Sequence, residues 1–203
     1  MEPTRIVVLV SGRGTNLQAL LDACMQSHIP ARAVAVVSNV PGAEAIKRAN
    51  RAGVPTVVLD HKTFESRDDF EEALQKHIDS RRPDLVVLAG FMRRLGKNFV
   101  EHYRDRIINI HPSLLPAFPG MHVHERVIQA GARFSGCTVH FVRPELDSGP
   151  IILQVALPVH PDDNSNTLAK RVLEVEQGSI VQAVTWFAEN RLEIVNEKVL
   201  VHE

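Results

Sequence analysis

Short β-branched apolar runs alternate with amphipathic helical segments along the first half of the chain, and this alternation limits the fold more than any other feature. The run Arg5–Val10 (RIVVLV) has the composition of a strand buried on both faces of a parallel sheet. Two glycines follow it, and apolar residues then recur at helical spacing from Leu17 onwards. The chain therefore begins with a strand followed by a helix.

The same unit recurs further along the chain. The apolar runs predict strands at 33–37, 56–59, 85–89, 107–110, 138–142 and 151–157, and the helical spacing predicts helices near 43–52, 68–80, 97–103 and 167–189, the last capped by Asn166 or Thr167. A short hairpin is expected around Asn196 and Glu197. This pattern predicts an α/β, Rossmann-like fold with a doubly wound, mostly parallel open sheet and a mixed carboxyl-terminal part.

The composition fits one globular domain spanning residues 1–203. The chain has 23 Lys and Arg residues against 24 Asp and Glu residues, so its net charge favours neither a nucleic-acid nor a membrane partner. Its two cysteines have no metal-ligand spacing, and the amino-terminal sequence MEPTRIVVLV has no signal-segment pattern. We expect a cytoplasmic protein that acts on small molecules, as a monomer or a homodimer.

The glycine-rich turn after the first strand, SGRGTN, is the first candidate site. A turn of this kind followed by a helix presents backbone N–H groups and the positive end of the helix dipole, which together suit a phosphate. Leu17 stands where the dinucleotide fingerprint has its third glycine, and no Gly-Lys-Ser/Thr follows, so the turn matches neither that fingerprint nor a Walker loop. A well-capped turn without a ligand remains the alternative.

The second candidate site combines Asn109, His111 and Asp147. Residues i and i+2 of a strand point to one face, so Asn109 and His111 place an amide and an imidazole side by side at a strand's carboxyl end. Pro112 and Pro116 stiffen the segment that follows. An amide, an imidazole and a carboxylate suit acyl transfer without a covalent intermediate, although spacing alone leaves Asp147 as a surface turn residue.

No metal site is expected, because the sequence shows no cluster of His, Cys and carboxylate ligands at suitable spacing. His122 and His124 are two residues apart in what reads as a loop, and we expect both at the surface.

Four separated segments, in the same order, resemble the glycinamide ribonucleotide formyltransferase family: SGRGTNLQALLDA, LAGFMRRL, NIHPSLLPAFPG and GCTVHFVRPELDSGPIILQ. The resemblance covers residues 5 to about 176. It implies that a formyl group passes from 10-formyltetrahydrofolate, without a metal, to the amine of phosphoribosyl glycinamide in purine biosynthesis. It also implies a phosphate-binding half at about 1–100 and a folate-binding and catalytic half at about 85–203.

The resemblance assigns roles to particular residues of this chain. It makes Asn109, His111 and Asp147 the catalytic trio. It places phosphoribosyl glycinamide on Gly14, Thr15, Asn16, Leu17 and Glu176. It places the folate on Arg67, Met92, Arg93, Arg94, Leu95, Asn109, Arg143, Pro144, Glu145, Leu146 and Asp147.

Two positions depart from the family pattern. The family usually follows its long-helix glutamate with His and then Tyr-Pro, whereas Glu176 is followed here by the segment 177–181 (QGSIV), which weakens its assignment. Met121 replaces the usual Leu after the proline and glycine, a volume-conserving change of little expected consequence.

Three other functions are possible on the sequence. Formyltetrahydrofolate hydrolases resemble the chain in the folate half and the trio, but typically carry a regulatory domain ahead of them, which we do not expect here because the first strand starts at Arg5. Methionyl-tRNA formyltransferases add a carboxyl-terminal nucleic-acid-binding domain, which we do not expect here. A nucleotide-binding module without catalysis would use the glycine turn alone and would leave Asn109 and His111 without a purpose.

Overall fold

A seven-stranded sheet lies at the centre of the computed structural model, which describes residues 2–203. Its strands are β1 (Thr4–Val10), β2 (Ala31–Ser38), β3 (Thr56–Val58), β4 (Leu85–Leu88), β5 (Ile107–His111), β6 (Phe134–Phe141) and β7 (Ile151–Pro158). They lie in the order β3-β2-β1-β4-β5-β6-β7. The pairs among β1 to β5 are parallel, whereas β6 is antiparallel to both β5 and β7. The predicted α/β class and mixed carboxyl-terminal part are confirmed.

Helices connect the strands and cover both faces of the sheet. They are α1 (Thr15–Met25), α2 (Glu44–Arg51), α3 (Arg67–Asp79), α4 (Lys97–His102), α5 (Val123–Gln129) and α6 (Ser165–Ala188), with a 3₁₀ turn at His61–Thr63. A separate hairpin of β8 (Leu192–Val195) and β9 (Lys198–Val201) ends the chain. Its two-residue turn, Asn196–Glu197, has both residues at positive φ, as in a type I′ turn.

Two apolar cores lie on opposite faces of the sheet because successive strand residues point to opposite sides. Ile6, Val8 and Val10 of β1 join a core that also contains residues of α1, α5 and α6. Val7 and Leu9 join the second core, with residues of α3 and α4. Each central strand is therefore buried on both faces, as its continuous apolar composition predicts.

The structure differs from the sequence-based expectations at one unpredicted helix and at the starts of two predicted elements. Helix α5 was not expected, although Val123 and Val127 are buried four residues apart and Gly131 follows them. Strand β6 begins at Phe134 rather than at 138. The cap of α6 is Asn164, whose side chain accepts from the backbone N–H groups of the first turn, so the helix starts earlier than predicted. Short elements carry a weak periodic signal, and helix ends depend on cap geometry.

Candidate active site

A cavity of about 600 Å³ opens beside the carboxyl ends of β4 and β5. This is a usual size and place for a small-molecule site in an open α/β sheet. Eleven of the predicted folate-binding and catalytic residues line it: Met92, Arg93, Arg94, Leu95, Asn109, His111, Arg143, Pro144, Glu145, Leu146 and Asp147. The structure thus brings together segments that are far apart in the sequence.

Asn109 is oriented by a histidine on the neighbouring strand. The antiparallel register places His140 of β6 directly opposite Asn109, and the Asn109 Nδ2 donates to His140 Nε2 at 3.3 Å. His140 Nδ1 donates to the carbonyl of Phe141 at 3.0 Å, so Nε2 is the acceptor of a neutral ring. Burial lowers the pKa of His140, which favours that neutral form. One N–H of Asn109 is thereby fixed.

His111 is buried, and its two ring nitrogens face different partners. Nε2 donates to the carbonyl of Phe118 at 3.0 Å, and because a carbonyl can only accept, Nε2 must carry a proton. Nδ1 lies 3.5 Å from Oδ1 of Asp147, longer than a normal hydrogen bond. Nδ1 is therefore the nitrogen that can exchange a proton with a bound molecule.

Asp147 reaches the imidazole from the loop between β6 and β7. Its backbone lies in the left-handed region at φ 47°, an uncommon conformation for a non-glycine residue. Its second oxygen, Oδ2, accepts from the backbone N–H of Gly120 at 2.6 Å. That bond fixes the carboxylate, so the structure places Asp147 at the site and not in a free surface turn.

The segment after His111 is held by side-chain hydrogen bonds as well as by its prolines. The hydroxyl of Thr138 on β6 donates to the carbonyl of Ser113 at 2.7 Å and accepts from the N–H of Leu115 at 3.0 Å. The Ser113 hydroxyl donates to the carbonyl of Ala117 at 2.6 Å. These bonds present the Phe118 carbonyl that orients His111.

The glycine turn ends at the amino terminus of α1. Gly14 is the N-cap residue at φ 71°, and the first N–H groups of the helix, those of Thr15, Asn16 and Leu17, have no intrahelical partners. The side chain of Leu17 is fully buried in the core, so only its backbone can meet a ligand. The turn retains the features that suit a phosphate.

Glu176 lies beside this turn, where the side chain of Asn16 donates to Glu176 Oε2 at 3.0 Å. Burial raises the pKa of Glu176, and the bond from Asn16 opposes that rise. Glu176 follows Ala169, a residue of the cavity wall, by seven positions, which is about 10.5 Å along α6 on nearly the same face. One face of α6 therefore joins the cavity to the glycine turn.

Three predicted folate-binding arginines have different surroundings. Arg94 lines the cavity and donates to the carbonyl of Pro144 at 3.3 Å. Arg67 does not line it; it pairs with Glu71 at 2.9 Å, at the start of α3. Arg143 is buried and directs its guanidinium to Glu197 and Asp105, so that charge is already paired within the protein.

Two histidines that line the cavity, His124 and His140, were not predicted there from the sequence. His124 was expected at the surface, but α5 places it in the cavity wall, and its Nδ1 is buried without a partner. His122, at the start of α5, is exposed as expected, although it too borders the cavity. His140 was missed because its position depends on which residue of β5 it faces, which no local pattern reveals. The Val123–Val127 spacing with Gly131 was the signal for α5.

Two kinds of feature are absent from the described residues, 2–203. They contain no group of three or more His, Cys, Asp and Glu side chains that could hold a metal ion. None of their helices is both long enough and apolar enough to cross a bilayer.

Comparisons with known proteins show the family and the fold of this chain. The formyl transferase family model matches residues 4–184. Phosphoribosylglycinamide formyltransferase from Escherichia coli K12 is 45% identical over 189 residues, covering 93% of this chain and 89% of that protein. The crystal structure of glycinamide ribonucleotide transformylase 1 from Symbiobacterium toebii superposes with a TM-score of 0.97 at 42% identity, covering 100% of this chain and 95% of that one.

A longer relative contains a region similar to this chain. The trifunctional purine biosynthetic protein adenosine-3 of Drosophila melanogaster is 46% identical over 182 residues, which is 89% of this chain. The chain spans 14% of the length of that protein. Because the family model and the bacterial relative both match nearly the whole chain, it belongs to the formyl transferase family, among the phosphoribosylglycinamide formyltransferases.

Proposed function

We propose that the cavity binds 10-formyltetrahydrofolate while the glycine turn binds the phosphate of phosphoribosyl glycinamide, whose amine takes the formyl group. The observation that carries this proposal is the arrangement of His111, with Nε2 fixed on a carbonyl and Nδ1 facing Asp147 at the cavity wall. Such a ring can hold a positive charge and share one proton. That is what acyl transfer to an amine requires.

The reaction begins when the amine nitrogen attacks the formyl carbon and the carbonyl oxygen becomes negative. The free N–H of Asn109 and Nδ1–H of His111 donate to that oxygen, and Asp147 stabilises the charged imidazole. The new nitrogen–carbon bond remains, and the bond between the formyl carbon and N10 of the folate breaks. The proton lost by the amine passes through Asp147 and His111 to N10, so tetrahydrofolate leaves neutral at that nitrogen.

The two binding regions suit the two substrates. The cavity wall combines apolar side chains, among them Leu88, Phe91 and Leu95, which can cover a pterin ring, with the cations Arg93 and Arg94. Glu176 can accept from the substrate amine, and α6 spans the distance between the regions. The alternative of a nucleotide-binding module gives no role to His111, Asp147 and His140.

Composition and cysteine chemistry support the remaining expectations. Both cysteines, Cys24 and Cys137, are free thiols, as in a reducing cytoplasm. The near-zero net charge supports small-molecule substrates and no nucleic-acid partner. The folate is used as a co-substrate, and no metal takes part.

The proposed function is tested by following tetrahydrofolate in the presence of 10-formyltetrahydrofolate, with and without phosphoribosyl glycinamide. We expect tetrahydrofolate and formylated glycinamide ribonucleotide in equal amounts, and only when the amine is present. Tetrahydrofolate formed with water alone would identify a hydrolase and contradict the proposal.

A further inference from the structure

Arg143 stands at the base of the loop that carries Asp147, and its surroundings are unusual for a residue of a ligand-binding loop. It is 7% exposed, and each of its guanidinium nitrogens donates within the protein. Nε donates to Glu197 Oε2 at 2.7 Å, Nη2 to Asp105 Oδ1 at 2.8 Å, and Nη1 to the Val142 carbonyl at 3.2 Å. Charge-assisted bonds of this kind fix a side chain more firmly than neutral ones.

The same residue also closes the loop through its backbone. The N–H of Arg143 donates to the carbonyl of Ser148 at 3.2 Å, so residues 143–148 form a closed bracket with Asp147 inside it. Gly149 packs against the Arg143 side chain, and a Cβ added there would lie 3.0 Å from Arg143 Cγ. A displacement of Arg143 would therefore move the whole bracket.

Neither acidic partner of Arg143 lines the cavity. Glu197 is in the turn of the carboxyl-terminal hairpin and has φ 57°, where glycine is the residue that a type I′ turn favours. Asp105 is also at positive φ, 59°. Aspartate is among the residues that adopt this conformation most often, so only Glu197 goes against local preference. Such departures are expected where a side chain has a function.

We propose that Arg143 is a positioning residue: held by Glu197 and Asp105, it keeps the loop 143–148 in the conformation that brings Asp147 to His111 and forms one wall of the folate cavity. This inference rests on the proposed function, since it explains how a site for that reaction is kept in place. In this proposal the Arg143 guanidinium does not contact the folate; it binds Glu197 and Asp105 within the protein, an arrangement called the clamp below. Through Glu197, the carboxyl-terminal hairpin supports the cavity wall although it lines no part of the cavity.

Binding of tetrahydrofolate, measured by titration calorimetry, tests the clamp without requiring turnover. We expect Arg143→Gln to raise the Kd for tetrahydrofolate about tenfold and Glu197→Gln about threefold. Each change removes a charged partner that orders the loop, and a less ordered loop binds the folate more weakly. The double variant should bind tetrahydrofolate as Arg143→Gln alone does, since each change removes the Arg143–Glu197 pair. The other partner of Glu197, Arg104, lies 3.0 Å from it and does not line the cavity. Glu193→Gln is the matched control: it lies on the same hairpin but pairs with His202.

Kinetics separate positioning from general stability. For Arg143→Gln and Glu197→Gln, the KM for 10-formyltetrahydrofolate should rise and kcat should fall, while the KM for phosphoribosyl glycinamide stays within about twofold of wild type. Glu197→Gly suits the turn better than glutamate does, yet it should weaken tetrahydrofolate binding as Glu197→Gln does. If Arg143→Gln fails to fold, the exposed Glu197 variants carry the test.

The possible outcomes distinguish this inference from the proposed function. Suppose that the wild type transfers formyl groups. If the Kd for tetrahydrofolate and the KM values are then unchanged in Glu197→Gln and Glu197→Gly, the clamp alone is overturned. Equal losses for both substrates together with a lower melting temperature would also overturn it, because they indicate a structural role only. Folate binding that depends on Arg143 in a wild type without formyl transfer would support the clamp and overturn the proposed function.

Discussion

The Oδ1 atom of Asp147 lies 3.5 Å from Nδ1 of His111, although His111 ends β5 and Asp147 lies in the loop between β6 and β7. The other oxygen of Asp147 is held by the N–H of Gly120, and the other nitrogen of His111 is held by the carbonyl of Phe118. Each member of the pair therefore has one atom fixed by backbone and one atom facing its partner. This arrangement turns Nδ1 of His111 and Oδ1 of Asp147 towards each other at the cavity wall.

Replacing Asp147 with Asn should lower kcat by about 10³-fold, since the amide can neither stabilise the imidazolium nor accept the proton of the amine. The Kd for phosphoribosyl glycinamide should change by less than about twofold, because we propose that its phosphate binds at the glycine turn. Single-turnover rates and equilibrium binding measure the two effects. An unimpaired rate would remove Asp147 from the catalytic trio.

Replacing His111 with Ala should also lower kcat by about 10³-fold or more, because both the oxyanion donor and the proton carrier are lost. Binding of phosphoribosyl glycinamide should again be nearly intact. Calorimetry beside steady-state kinetics checks this. Comparable losses of turnover and of phosphate-substrate binding would contradict the division of the site into two binding regions.

His140→Phe keeps a ring of similar size but removes the acceptor for Asn109. We expect kcat to fall about 10–100-fold, since an amide that is no longer held in place donates a poorly directed hydrogen bond to the oxyanion. The KM for phosphoribosyl glycinamide should stay near the wild-type value. A wild-type kcat in this variant would show that Asn109 needs no support from β6.

The stability of the protein should fall as the pH drops below about 6.5, the ordinary pKa of histidine. Burial lowers the pKa of His140 in the folded state, so below that pH the unfolded chain binds a proton that the folded chain does not. This part of the stability is present above pH 6.5 and is lost as the pH falls through the lower, folded value. The free energy of unfolding, measured by urea denaturation from pH 5 to 8, should change less steeply with pH for His140→Phe than for wild type.

Glu176 should give the opposite dependence, because burial raises its pKa above the ordinary 4.5. The folded chain then keeps a proton that the unfolded chain has lost, so its contribution to stability is present below pH 4.5 and is lost as the pH rises through the folded value. Glu176→Gln should therefore be at least as stable as wild type at pH 7.5 while binding phosphoribosyl glycinamide more weakly. A variant less stable than wild type at pH 7.5 by about 1 kcal/mol or more would show that the carboxylate is stabilising.

Gly14→Ala should destabilise the protein by about 2–3 kcal/mol, through the left-handed backbone and a steric clash. A Cβ at Gly14 would lie 2.6 Å from Cβ of Ala45, and φ there is 71°. Gly12→Ala is the stability control, since a Cβ at Gly12 meets nothing within 4 Å. Chemical denaturation of both variants decides whether close packing of α1 on α2 requires the second glycine of the turn.

Local patterns in the sequence were sufficient to predict the α/β architecture. A continuous β-branched run such as Arg5–Val10 and the helical spacing after it reflect interactions within a few residues, and they predicted the central sheet. The same reasoning put Asn109 and His111 on one face of a strand, because side chains alternate along any strand. The glycine turn was recognised for the same reason, since a helix amino terminus acts on its immediate neighbours.

Other parts of the site were decided by contacts between residues far apart in the chain. His140 meets Asn109 only because β5 and β6 pair in one particular antiparallel register. Glu176 meets Asn16 because α6 packs on α1, and Arg143 meets Glu197 because the last hairpin folds back beside the loop. Strand register, helix packing and loop closure depend on the whole core. Short-range periodicity in the sequence therefore determined the fold and the common face of Asn109 and His111, the two side chains that we propose as catalytic, whereas tertiary structure alone decided which groups orient them.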